Sequence, residues 1–269
     1  MNLKHATNCF KGILIRESLR FLNQRARFFA ALVRPLVWLF IFAAGFRSVL
    51  GVSIIPPYQT YVLYEEYITP GLLGMIMLFN GMQSSLSMVY DREMGSMRLL
   101  LISPLPRWFL LLCKLLSGVA VALLQVYVFL LIAWFWEVRP PVSGYFMVIP
   151  ALILSGLMLG ALGLMLSSFV TQLENFAGVM NFVIFPMFFA SSALYPLWRL
   201  RDSSELLYWV ANLNPFTHAV EFVRFALYSQ INWQAGLITL LCTLFFSAVA
   251  IWGYDPLRGF LPRKGGAAV

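Results

Sequence analysis

Six apolar stretches, each about the length that crosses a bilayer, set the terms for everything else in this chain. They lie at about residues 28–46, 67–90, 108–136, 145–170, 176–197 and 233–254. A spanning helix needs roughly 20 such residues, and the third stretch is long enough to cross at a tilt. Trp and Tyr stand near many of the ends, where an interfacial aromatic belt puts them. Only 11% of the residues are charged, against about a quarter in a soluble domain, so lipid is the expected solvent. The expected fold class is all-α integral membrane, a single domain over 1–269 with six transmembrane helices.

The placement of charge predicts the orientation. With the N-terminus inside, the inner segments hold twelve basic residues and the outer ones five, namely Arg47, Arg139, Arg199, Arg201 and Arg224. That asymmetry follows the positive-inside rule. An even number of spans returns the basic C-terminal tail to the same side. The net charge of +8 therefore reads as cytoplasmic loops facing anionic lipid, not as a nucleic-acid footprint. Arg34 and Lys114 fall within spans near their inner ends, where long side chains can snorkel. About 27 residues with many polar and basic side chains precede the first apolar run, and no small-residue cleavage site ends it. Insertion is expected to use the first span itself.

Two segments outside the spans carry structure of their own. In residues 12–27, Arg16, Arg20 and Arg27 share one helical face and Ile15, Leu19, Leu22 and Ala26 the opposite one. This is an amphipathic helix in the inner interface or a cytoplasmic extension of the first span. Residues 199–233 mix charge with apolar runs, and Asn214-Pro215 suits a helix start, with Asn as cap and Pro in the first turn. Two short helices forming a re-entrant hairpin in the outer leaflet are expected there, or else an outer loop with one amphipathic helix.

The most informative segment is the loop between the second and third runs, DREMGSMRLLLISPLPR. Met94, Met97, Leu99 and Leu100 make a greasy stretch on a cytoplasmic segment, and a partner surface is the natural reason for it. Gly95 lets the backbone bend or approach closely, and a short helix ending before Pro104 fits. In Asp91, Arg92, Glu93, Gly95, Leu99, Leu100, Ser103, Pro104 and Leu105 the loop resembles the signature loop of ABC-2 type transporter permeases. The Asn214, Pro215, Glu221 and Arg224 element before the last span resembles the same family, as does Arg34-Pro35. One departure is that Gly95-Ser96 is followed by Met97 and Arg98 where the family often has an acidic residue, so an ion pair with a partner at that position would differ in sign.

The resemblance implies the permease subunit of an exporter in a bacterial-type inner membrane, with both termini cytoplasmic. Two copies of the chain would pair, each with a separate ABC ATPase subunit. Residues 91–103 would form a coupling helix seated in that ATPase. The chain would bind no cofactor itself, ATP and Mg²⁺ belonging to the ATPase. In agreement, a P-loop needs Gly-Lys-Ser or Gly-Lys-Thr, and none of the four lysines is followed by Ser or Thr.

Asn80, Ser84 and Ser87 share a face of the second run, with Gln83 and Ser85 nearby; Gln125 and Asn181 lie in the third and fifth. They line a wet pathway or make interhelical hydrogen bonds. Phe182, Phe185, Phe188 and Phe189 surround Pro186, a kinking residue, and line a cargo path, a dimer seam or lipid. Gly156, Gly160 and Gly163 share a face that permits close packing. So few intramembrane charges suit an amphipathic or lipid-like cargo: a lipid-linked glycan, a lipid or a hydrophobic small molecule. The alternatives are an autonomous secondary transporter, which should show repeated halves and mid-span ionisable groups, and a lipid-modifying enzyme, which should show a catalytic polar cluster. Neither signature is present. His5 and His218 are too few and too far apart for a metal site. Cys9, Cys113 and Cys242 show no pairing pattern.

Overall fold

A computed structural model describes residues 3–23, 25–43, 45, 56–58, 62–94, 106–136, 138–170 and 172–254. Every element among them is a helix. In chain order these are α1 (Leu3–Asn23), α2 (Arg25–Val37) with a π-helical turn at Trp38–Ala43, α3 (Tyr64–Glu93) and α4 (Arg107–Phe135). There follow α5 (Val142–Phe169), α6 (Leu173–Phe189), α7 (Leu197–Ser203), α8 (Glu205–Leu213), α9 (Pro215–Leu227) and α10 (Trp233–Gly253). Four of them, α3, α4 from Trp108, α5 and α10, are long and apolar enough to cross a membrane. The first and fifth apolar runs form shorter helices, Ala31–Ile41 and Leu173–Phe189. The amphipathic helix expected over 12–27 begins earlier, at Leu3, and ends at Asn23. It packs against α4 and leaves Ile15 and Leu19 exposed.

The core is built around α3, which packs against α2, α4, α5, α6 and α9. Leu72, Leu73, Leu78 and Met82 are fully buried on it. The α3–α5 seam depends on absent side chains. A Cβ on Gly81 would stand 2.9 Å from the backbone of Leu159 and Gly160, so the two backbones are as close as the chain permits. Gly160 and Gly163 face Leu115 and Ser85. The glycine face of the fourth run is thus spent within the chain. In lipid, where the hydrophobic effect does not drive helices together, such close approach is a main source of association.

Proline interrupts α3 and is compensated. Pro70 brings no N–H to the carbonyl of Glu66, and the Tyr58 hydroxyl donates to that carbonyl at 3.4 Å. Thr69 Oγ1 donates to the Glu65 carbonyl at 2.7 Å.

The fifth run departs most from expectation. It does not continue to residue 197: α6 stops at Phe189, and at 17 residues it measures about 25 Å, short of the roughly 30 Å hydrocarbon core. Between residue 199 and the start of α10 at Trp233 lie all or part of three helices rather than two, because Ser204 takes an extended conformation between α7 and α8.

Replacing Gly81 with Leu should destabilise the chain by about 1–3 kcal/mol through overpacking, seen as a lower thermal midpoint in detergent. Gly178 has nothing within 4 Å of an added Cβ, so Gly178→Ala should leave the midpoint unchanged or slightly raised.

Candidate functional site

Two polar clusters stand at opposite ends of α3. The one at the C-terminal end of α3, which the charge pattern predicts to be the inner side, begins where the helix ends. Asp91 is 5% exposed and Lys114 of α4 is 4% exposed, with Nζ 4.0 Å from Asp91 Oδ2. Lys114 does not snorkel to water. It donates to Ser87 Oγ at 2.7 Å, and the Ser87 hydroxyl donates to the Ser84 carbonyl at 2.7 Å. Asp91 supplies a nearer charge than solvent does, so the lysine turns inward.

Arg92 turns to other helices. Its Nη1 donates to the Val170 carbonyl, just past the end of α5, at 3.3 Å. Its guanidinium lies 5.1 Å from the ring centre of Tyr254, just past α10. The hydroxyls of Tyr254 and Ser167 are 2.7 Å apart, which ties α10 to α5. Arg92 Nε and Nη2 find no hydrogen-bond partner among the described residues. Glu93 and Met94 are exposed. Gly95, Leu99, Leu100, Ser103 and Pro104 lie outside the described residues.

One turn further along α3, Asn80 donates to Gln125 Oε1 of α4 and to its own Ile76 carbonyl at 2.9 Å. Ser84 faces Gly118, whose added Cβ would lie 3.3 Å from the serine oxygen. Asn80, Ser84 and Ser87 therefore all meet α4. Between the helices Asn80, Gly81, Ser84, Gly118, Gly156 and Gly160 help line a narrow crevice of a size to hold a single water.

The aromatic residues of α6 stand apart from this seam. Phe182, Phe185 and Phe189 are 80%, 49% and 41% exposed, and Asn181 is exposed beside them. Phe188 is buried, and Trp38 packs on Phe188 and Phe189 with ring centres 5.8 and 6.0 Å apart. The polar face of α3 and the aromatic face of α6 do not converge. Arg34 keeps its guanidinium 3.8 Å from the Phe79 ring centre.

The cluster at the other end of α3, the expected outer side, closes the broken end of α6. Asn214 is the N-cap of α9, its Oδ1 accepting from the Phe216 N–H at 3.0 Å, with Pro215 in the first turn. Its Nδ2 donates to the carbonyls of Met187 and Ala190 at 2.8 and 2.6 Å. One side chain thus starts α9 and finishes α6. Arg224, 2% exposed, pairs through Nη1 with Glu221 and donates from Nη2 to the Ser192 carbonyl at 2.7 Å. Its guanidinium sits 4.2 Å from the ring centre of Tyr67, whose hydroxyl donates to the same carbonyl at 3.0 Å. Burial pushes the Tyr58 and Tyr228 phenols well above their ordinary range, so both stay neutral. Tyr67, Ser192 and Tyr58 carry no signal in the sequence that would single them out.

A family model described as ABC-2 type transporter matches residues 8–228. A protein described as a transport permease, ycf38 of Pyropia yezoensis, is 27% identical over 230 residues, covering 83% of this chain and 75% of its own length. The ycf38 protein of Cyanophora paradoxa is 26% identical over 209 residues, 76% of this chain and 68% of its own. A protein described as a multidrug ABC transporter permease, YbhR of Escherichia coli K12, is 29% identical over 174 residues, 62% of this chain and 45% of its own. With more than half its length matched by one family, this chain, a multi-pass membrane protein and transport subunit, belongs to the ABC-2 type transporters.

Proposed function

We propose that this chain is the permease of an ATP-driven exporter that moves an amphipathic or lipid-like molecule, with ATP hydrolysed by a separate subunit. The observation that carries the reading is the inner end of α3. Asp91 and Arg92 are tied to three other helices, while Glu93 and Met94 beside them are exposed. A segment rooted in the bundle and presented outward is what a motor needs to grip. ATP binding on the partner then biases inward-open against closed or outward-open states, to the extent that the partner holds the segment differently in each.

In this reading two copies of the chain pair with two ATPase subunits in a bacterial-type cytoplasmic membrane. Six segments cross: the four long helices, plus α2 with its π turn, and α6 completed by the outer hairpin. Both termini are cytoplasmic. The hairpin of α7 to α9 dips into the outer leaflet, which suits the exposed Leu206, Trp209, Val210 and Leu213 on α8. Cargo moves along Asn80, Ser84 and Ser87 or along the aromatic face of Phe182, Phe185 and Phe189. An uncharged, aromatic-rich path favours molecules with a large apolar part.

Replacing both Leu99 and Leu100 with Asp should leave the chain inserted at normal levels. ATP-dependent accumulation of a fluorescent amphiphile in inside-out vesicles should fall to background. Normal accumulation would refute the gripping role. For orientation, cysteines are placed singly in a chain whose Cys9, Cys113 and Cys242 are changed to Ala. A membrane-impermeant maleimide added to intact cells should label Arg139→Cys and Asp202→Cys, and should reach Thr7→Cys only after permeabilisation. The reverse pattern would invert the topology.

A further inference from the structure

We infer that Lys114 is the positioning residue that passes movement of the inner end of α3 to α4; this rests on the coupling role proposed above. Asp91 and Arg92 are adjacent on the last turn of α3, and successive helical residues point about 100° apart. Asp91 meets α4 through Lys114 at 4.0 Å. Arg92 meets the ends of α5 and α10 through Val170 and Tyr254. A rotation of that turn draws on α4 through one residue and on the α5–α10 unit through the next.

The pair suits transmission better than it suits stability. Asp91 and Lys114 are 5% and 4% exposed. A buried ion pair contributes little net stability, because the loss of hydration offsets the attraction, whereas fixing one element against another is its best-attested use. An apolar pair of similar volume would pack α3 on α4 equally well. Lys114 also donates to Ser87 at 2.7 Å, and the Ser87 hydroxyl donates to the Ser84 carbonyl. Ser84 lines the crevice together with Asn80, which donates to Gln125 of α4. Lys114 thus stands at the base of the polar residues that line the α3–α4 seam. When it moves, the inner end of the crevice moves with it.

The test is pulsed EPR on the full complex with its ATPase in nanodiscs, without nucleotide and with ATP plus vanadate. Spin labels go on Leu124→Cys of α4 and Phe146→Cys of α5, both exposed, in a chain lacking its native cysteines. The native background should show an ATP-dependent change in the label distance. Lys114→Met should lose that change, and Lys114→Arg should restore it. The double variant Asp91→Asn, Lys114→Met removes both charges of the pair together, which guards against misfolding, and should lose it too. A change that persists in Lys114→Met or in the double variant overturns the inference. A second label pair, Met94→Cys with Phe146→Cys, separates the two levels of the account. No ATP response at Met94 in the native background sinks the coupling role itself. A response there with none at Leu124 sinks only the part assigned to Lys114.

Discussion

Inside a bilayer no water is present to satisfy the backbone, so each N–H and C=O must find a partner within the chain. The rest of this structure follows from that constraint. It explains why every described element is a helix, and why side chains are invested at two of the breaks, in α3 and at the end of α6. Pro70 leaves the Glu66 carbonyl without its usual donor, and Tyr58 is brought from outside the helix to meet it. α6 ends early, and the carbonyls of its last turn and of the turn that follows are met by Asn214, Tyr67 and Arg224. Leaving such a group unsatisfied would cost about 1–3 kcal/mol each.

The same constraint gives the two polar clusters different characters. The outer one is closed and multivalent. Arg224 spends its charge on Glu221, on a carbonyl and on the face of Tyr67, binding α9, α3 and the turn after α6 into one body. The inner one is divided between neighbours. Asp91 faces α4, and Arg92 faces the ends of α5 and α10. A cluster whose members hold different helices can relay a displacement. A cluster that holds everything to one point resists it. In the proposed function the hairpin of α7 to α9 is therefore the fixed end of α3, and the end at Asp91 and Arg92 is the one through which the bundle is driven.

Much of this was legible beforehand because it depends on local signals. Apolar length marked the four long helices, and Asn214-Pro215 marked the start of α9. The spacing of Gly156, Gly160 and Gly163 marked a face for close packing. What was not legible depends on residues distant in sequence. Ser191 and Ser192 interrupt the fifth run only briefly, yet α6 ends at Phe189: Ser191 and Tyr195 meet the Phe188 and Phe189 carbonyls, and Asn214 of α9 meets those of Met187 and Ala190. Lys114 reads as a snorkelling residue in the sequence because its partner Asp91 lies 23 positions away, on α3. Ser204 divides α7 from α8 without a glycine or proline to announce it. Asn80, Ser84 and Ser87 were expected to share a face and do, but nothing in their spacing says that the aromatic face of α6 lies elsewhere.

The central claim is that this bundle does no work of its own and is driven by a motor on another chain. The most direct measurement is to purify the tagged chain under conditions that keep complexes intact, reconstitute it, and follow vesicle transport of a fluorescent amphiphile together with ATP hydrolysis. The account predicts a copurifying P-loop ATPase, vanadate-sensitive transport that requires it, and no transport by the chain alone. Transport by the isolated chain under a proton or sodium gradient, with no ATPase recovered, would contradict it.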